Sequence, residues 1–300
     1  MIRTPAVAHQ FYPGDAKPLR KMLDALIPGR VSARAALAVV MPHAGYVYSG
    51  KVAGETVAQV EVPPDLIILG PNHHGVGASA ALMAEGIWEM PMGDVPINSV
   101  LATKIIHHCT KISAKTGSPA SPHSSQSIDQ PANQPVSQSI NPIIRIDNRA
   151  HLAEHSLEVL IPFLQYRQPH LSIVPLSLAR LNYDDCHLIG RILAAAIKDY
   201  RHPVMLAASS DMTHYESRSS AAAKDSLAID QVLALNPGGL YQTVVEKRIS
   251  MCGVIPTVIA LIAALELGAN QAELVRYADS GAVSGDINQV VGYAGFVIRA

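Results

Sequence analysis

Three histidine-bearing turns in this chain each follow a short apolar run. Ala36 to Met41 leads into Pro42-His43-Ala44-Gly45-Tyr46. Leu66 to Leu69 leads into Gly70-Pro71-Asn72-His73-His74-Gly75, and Val204 to Ala208 leads into Ser209-Ser210-Asp211-Met212-Thr213-His214. Imidazole is both a metal ligand and a proton carrier near neutral pH. If the runs are parallel strands, their carboxyl ends share one edge of a sheet, where open α/β folds bind ligands. The three turns would then deliver their side chains to one place.

The finer readings differ in weight. His73 and His74 are adjacent, so on an extended chain their side chains point opposite ways and one of them faces the site. Asp211 and His214 lie three apart and share a face if the chain turns helical there. A carboxylate beside an imidazole makes an acid–base or ligand-orienting pair, although Asp211 could equally cap a following helix. Cys252, in Ser250-Met251-Cys252-Gly253, precedes an apolar helix, and a thiol at a helix N-terminus has a lowered pKa and becomes a better ligand. A lone cysteine is just as readily a buried small hydrophobe. His151-Leu152-Ala153-Glu154-His155 spells H-x-x-E-H, an inverted zinc peptidase pattern. It adjoins a polar segment and straddles a helix start, which argues against two histidines one turn apart on one face.

The elements that would position these residues alternate. Helices are expected over Ala16 to Leu26, from near Ser49 (as its cap) to about Val60, Ala153 to Tyr166, Tyr183 to Tyr200, Ser217 to Leu235 and Val254 to Leu267. Strands are expected at Ala36 to Met41, Leu66 to Leu69, Leu171 to Leu178, Val204 to Ala208, Gln271 to Tyr277 and Val290 to Ile298. This alternation predicts one α/β domain with a largely parallel or mixed central sheet and helices on both faces. One stretch, about 111–147, is Ser-, Pro-, Gln- and Asn-rich, and Ser125-Gln126-Ser127-Ile128 echoes in Ser137-Gln138-Ser139-Ile140. It offers too little apolar surface to offset ordering entropy and reads as a disordered insertion, with His123 a bystander.

Composition narrows the class. The chain has 300 residues, 49% hydrophobic and 16% charged, with a net charge of -1. That balance gives no reason to expect nucleic acid or an anionic membrane as partner. Three cysteines without a C-x-x-C pair suggest a reducing, cytoplasmic setting. The N-terminus lacks a signal-peptide core, and the most apolar stretch, Val254 to Leu265, is too short to span a bilayer.

Five ordered motifs together resemble the Memo-like family, also called AmmeMemoRadiSam system protein B. They are P-H-A-G-Y-x-Y-S-G after the first core strand, G-P-N-H-H after the second, E-H-S-L-E-V at 154–159, S-S-D-M-T-H at 209–214 and M-C-G at 251–253. The opening Arg3-Thr4-Pro5-Ala6-Val7 and Phe11-Tyr12-Pro13 are similar too. The resemblance spans nearly the whole chain except about 111–147. It departs at His9, where relatives often carry Gly, and after Gly253, where some relatives place a basic residue before the Pro. It implies a fold related to the catalytic subunits of class III extradiol dioxygenases, with a non-haem metal held by His43, His73 and Cys252. Asp211, His214 and His155 would line the same pocket in catalytic roles. The implied ion is Fe(II) or Cu, with Zn possible, because a thiolate replaces the carboxylate of a facial triad.

The leading reading is therefore a metal-dependent oxidoreductase acting on a small molecule. A second is a non-catalytic metal-binding protein that serves AMMECR-like and radical-SAM partners. A third is zinc hydrolysis through His151, Glu154 and His155.

Overall fold

The computed structural model describes residues 1–29, 32–116 and 142–300. In chain order these form β1 (Ile2–Arg3), α1 (Ala16–Leu26), β2 (Ala38–Met41), α2 (Tyr46–Ala58), β3 (Asp65–Pro71), β4 (Ala80–Leu82), β5 (Ile87–Trp88), β6 (Val95–Pro96) and α3 (Ser99–Thr116). The second half carries β7 (Arg145–Ile146), α4 (Ile161–Arg167), β8 (Ser172–Leu178), α5 (Tyr183–Lys198), β9 (Val204–Ser209) and β10 (His214–Glu216). It closes with α6 (Arg218–Leu233), α7 (Pro237–Glu246), α8 (Val254–Glu266), β11 (Gln271–Asp279), α9 (Gly281–Ser284) and β12 (Val290–Arg299).

A mixed sheet runs in the order β10-β12-β2-β9-β3-β8-β4-β7, and β11 pairs with β12. Its centre, β2-β9-β3-β8, is parallel. These strands are buried along nearly their whole length, as strands covered on both faces must be. Alternate residues feed two cores. Ala38, Val40, Ile67 and Leu69 face the core under α5 and α8, while Val39, Met41, Leu66 and Ile68 face the core under α1, α2 and α4. The expected α/β architecture is therefore present. A separate small sheet joins β1, β5 and β6.

Register places the strand ends together. Met41 pairs with Ser209, and Ala208 with Leu69, so the turns after β2, β9 and β3 leave the sheet side by side. The N-terminus braces this edge. Arg3, almost fully buried, donates to the carbonyls of His151 and Glu154 (2.7 Å each) and pairs with Glu158 at 2.7 Å. Glu158 also accepts from the Ala6 and Val7 N–H groups and from the Tyr12 hydroxyl.

Four local expectations change. Residues 153–157 are not helical: a 3-10 turn at Glu158–Leu160 leads into α4 at Ile161. Pro162 cannot donate within a helix interior and so sits in its first turn, and the Ser156 N–H is taken by the Glu154 carboxylate. Gly45, not Ser49, is the N-cap of α2, and the Ser49 hydroxyl donates to the Ala44 carbonyl. After Asp211 the chain enters strand β10 instead of a helix. At 111–147, α3 extends to Thr116 and β7 occupies Arg145–Ile146; residues 117–141, His123 included, lie outside the described residues.

Candidate metal centre

His43 follows β2 and is buried. Its backbone N–H donates to Asp211 Oδ1 at 2.9 Å, and its ring Nδ1 lies 2.7 Å from Ser209 Oγ. His73 follows β3. Its N–H donates to Glu154 Oε2 at 2.6 Å and its Nδ1 lies 2.9 Å from Glu154 Oε1. His155 comes from the irregular turn before α4. Its ring stacks on His73 with centroids 4.8 Å apart, meets His43 edge-on at 5.6 Å, and meets Phe11 at 5.0 Å. Ligand-capable atoms of His43, His73 and His155 all lie within 4.8 Å of one another. His74, the neighbour of His73, turns away and hydrogen-bonds the Ala153 carbonyl.

Cys252 stands beside this group, just before α8. Its Sγ is 3.4 Å from His43 Nε2 and accepts from the Asp211 N–H at 3.3 Å. A 3.4 Å separation suits two donors about 2.0–2.3 Å from one ion. The expected lowering of the thiol pKa is reversed. Burial raises it, the Asp211 charge adds to the rise, and the backbone N–H groups of Asp211, Gly253 and Cys252 offset only part.

The charges follow from burial. Desolvation holds the His43 imidazole down at about 3 and His155 at about 4, so both are neutral lone-pair donors at pH 7. Glu154 stays ionised at about 2: burial opposes this, but hydrogen bonds from His73 and Ser156 outweigh it. Asp211 is raised to about 6, chiefly by desolvation, although it accepts from the His43 and Ala44 N–H groups.

The pairing expected between Asp211 and His214 is not formed. Because the chain forms β10 there and the helical condition for a shared face is not met, His214 donates its N–H to Ser250 Oγ, and its Nδ1 lies 2.9 Å from the Ser250 carbonyl. Asp211 instead holds the His43 backbone, with Oδ2 4.0 Å from His43 Nε2. His155, expected among the catalytic residues, stands among the ligand-distance imidazoles. The zinc peptidase reading fails on geometry. His151 is fully buried, bonds the Ala81 carbonyl through Nε2 and packs against Trp88, outside the cluster. Glu154 is committed to His73 and is no free base. Ser156 and Ser209 escaped sequence reasoning. Both sit inside recognisable motifs, but no spacing separates Ser209 from Ser210.

A family model described as Memo-like protein matches residues 3–297. A MEMO1 family protein of Methanopyrus kandleri is 36% identical, covering 100% of this chain and 99% of its own length. MEMO1 family proteins of Methanothermobacter thermautotrophicus and Aquifex aeolicus are each 35% identical, covering 98% and 99% of this chain and 99% and 98% of their own lengths. An uncharacterized protein of Escherichia coli K12 shares the fold at a TM-score of 0.52 and 14% identity, over 85% of this chain and 98% of that one. With a family model spanning the chain and full-length relatives above 30% identity, the chain belongs to the Memo-like family.

Proposed function

We propose that this protein is a metal-dependent oxidoreductase whose ion is held by His43, His73 and Cys252, with His155 within ligand reach. The carrying observation is the convergence of three imidazoles, two of them held neutral by burial, with a thiol 3.4 Å from His43 Nε2. Neutral imidazoles beside a sulfur donor fit a borderline or soft transition metal, Fe(II), Cu or Zn, and fit Mg or Ca poorly. A bound Fe or Cu ion would supply electron transfer there, and any of the three would supply Lewis acidity.

The chain's own residues do the rest. Glu154 and Asp211 hold the His73 and His43 backbones. Asp211, poised near about 6, is the group best placed to take or return a proton beside Cys252. His214, at the start of β10 just after Asp211, is the second candidate for proton transfer. The substrate we infer is a small molecule, and cytoplasmic AMMECR-like and radical-SAM proteins are proposed partners, to be sought by co-purification. The reading is tested by loading the apo protein anaerobically with Co(II). A sulfur-to-metal absorption band in the wild type, lost in Cys252→Ser, supports it; binding without such a band removes Cys252 from the ligand set.

A further inference from the structure

The two histidines from β2 and β3 leave the sheet on different strands, yet their ring hydrogen bonds converge on one three-residue turn, Glu154-His155-Ser156. Ser209 Oγ lies 2.6 Å from the Ser156 carbonyl, which can only accept, so the single hydroxyl proton of Ser209 points there. His43 Nδ1, 2.7 Å from the same oxygen, must then carry the proton it donates. His43 Nε2 is left as a bare lone pair facing Cys252. On the other side the Glu154 carboxylate, which can only accept, takes the His73 Nδ1 proton, so the neutral tautomer it selects has its lone pair on His73 Nε2. The Ser156 N–H donates to the same Glu154 oxygen at 2.9 Å, and the Ser156 hydroxyl donates to the Pro71 carbonyl at 2.8 Å. The turn is thus locked to the end of β3, and it carries His155 in its middle.

We propose that Ser209 is a positioning residue for His43, and that the Glu154–Ser156 turn sets the tautomers of both His43 and His73 through two linked relays. One runs His43 Nδ1–H to Ser209 Oγ–H to the Ser156 carbonyl. The other runs His73 Nδ1–H to Glu154, which also holds the Ser156 N–H. The turn thereby pre-orients two lone pairs on two strands before any ligand arrives, so the ordering is done by folding and not by binding. The metal-site reading enters only through what those lone pairs are for; the tautomers themselves belong to the metal-free chain. Ser210, next along, serves a different end: its hydroxyl donates to the Asp211 carbonyl and accepts from the Gly253 N–H.

The test is nitrogen-15 NMR of the histidine rings in the metal-free full-length chain, with His43 identified by its loss in His43→Gln. The expected wild-type pattern is Nδ1-protonated His43 and His73. Ser209→Ala should shift His43 toward the Nε2–H form, with Zn(II) affinity falling about 10- to 100-fold, and Ser209→Thr should restore both. Ser210→Ala should leave the His43 signals unchanged. Glu154→Gln should perturb His43 as well as His73, because Ser156 links them. An Nε2-protonated His43 in the wild type overturns the proposal without any variant. So does a Ser209→Ala spectrum and Zn(II) affinity equal to wild type, or a Glu154→Gln effect confined to His73. If the wild type binds no Zn(II), zinc drops out as the ion, and the tautomer result still decides this proposal.

Discussion

Burial of His43 and His155 writes a pH dependence into the fold. Their imidazoles titrate at about 3 and about 4 in the folded chain, against 6.5 when unfolded. Between those values the unfolded chain binds protons that the folded chain does not, so stability rises with pH and is lost as pH falls from 6.5 toward 4. Glu154, lowered from 4.5 to about 2, adds a loss below 4.5. Asp211 acts in the other sense. Raised from 3.8 to about 6, it keeps a proton that the unfolded chain releases, so its contribution falls as pH rises through that window. His151, also held down at about 4 by burial, acts with His43 and His155, and Asp225, raised by burial, acts with Asp211. Three buried imidazoles against two carboxyls predict a melting temperature that drops on acidification from pH 6.5 to 4.5. His155→Phe, which keeps a ring against Phe11 and His73 but cannot titrate, should shallow that slope. A wild-type melting temperature flat across this range contradicts the assignment. At the same scale, Cys252→Ser should weaken Cu(I) binding far more than Zn(II) binding in chelator competition, because thiolate prefers the softer ion.

The element that brings Cys252 to the histidines is the start of α8, and Gly253 makes the approach possible. A Cβ there would lie 2.1 Å from the Ser209 carbonyl oxygen and 2.4 Å from the Ser210 Cβ. Gly253→Ala should therefore cost about 1–3 kcal/mol by overpacking and displace Cys252 from His43. Gly190→Ala meets the Ile262 side chain at 2.6 Å where α5 packs on α8, more than two turns along the helix from Cys252, so it should destabilise comparably without moving the site. Denaturant melts with metal titrations of both variants separate the two effects; equal metal affinities would refute the claim for Gly253. The placement of His43, His73 and Asp211 was legible in the sequence because apolar runs end abruptly, in Gly- or Pro-bearing turns before the two histidines and in a serine pair before Asp211. The start of α4 was not legible. The apolar residues at 157, 160, 161 and 164 fit a helical period, but Glu154 takes the Ser156 N–H and Pro162 lacks one, so the helix begins at Ile161. The conformation after Asp211 was hidden for a similar reason. Antiparallel pairing of His214 with Val291, far along the chain, decides it.

Across the whole molecule the site rests on a sheet clamped between two cores, and stability and chemistry separate accordingly. α8 is buried along most of its length, with Val258 to Leu261 inaccessible to solvent. Leu261→Ala should cost about 2–5 kcal/mol while metal affinity well below the melting temperature stays unchanged. None of the candidate ligands falls within 117–141. A chain lacking that segment should bind the same metal stoichiometry as the full chain, read by elemental analysis after loading. Among the described residues no helix is long and apolar enough to cross a membrane. The N-terminal brace was legible only as motif: that Arg3 reaches 151 and 154, and that Glu158 anchors residues 6 to 12, depends on contacts about 150 positions apart.

On the proposed reading β2 and β3 each deliver one imidazole to a single metal ion. The most direct measurement is metal content after anaerobic reconstitution with Fe(II), Cu(I) and Zn(II) in separate runs, for the wild type, His43→Ala and His73→Ala, with circular dichroism to confirm the fold. The expected result is one ion per chain for at least one of these metals in the wild type, and its loss in both variants while the fold persists. Stoichiometric metal retained in both folded variants, or none bound by the wild type under any of the three conditions, would contradict it.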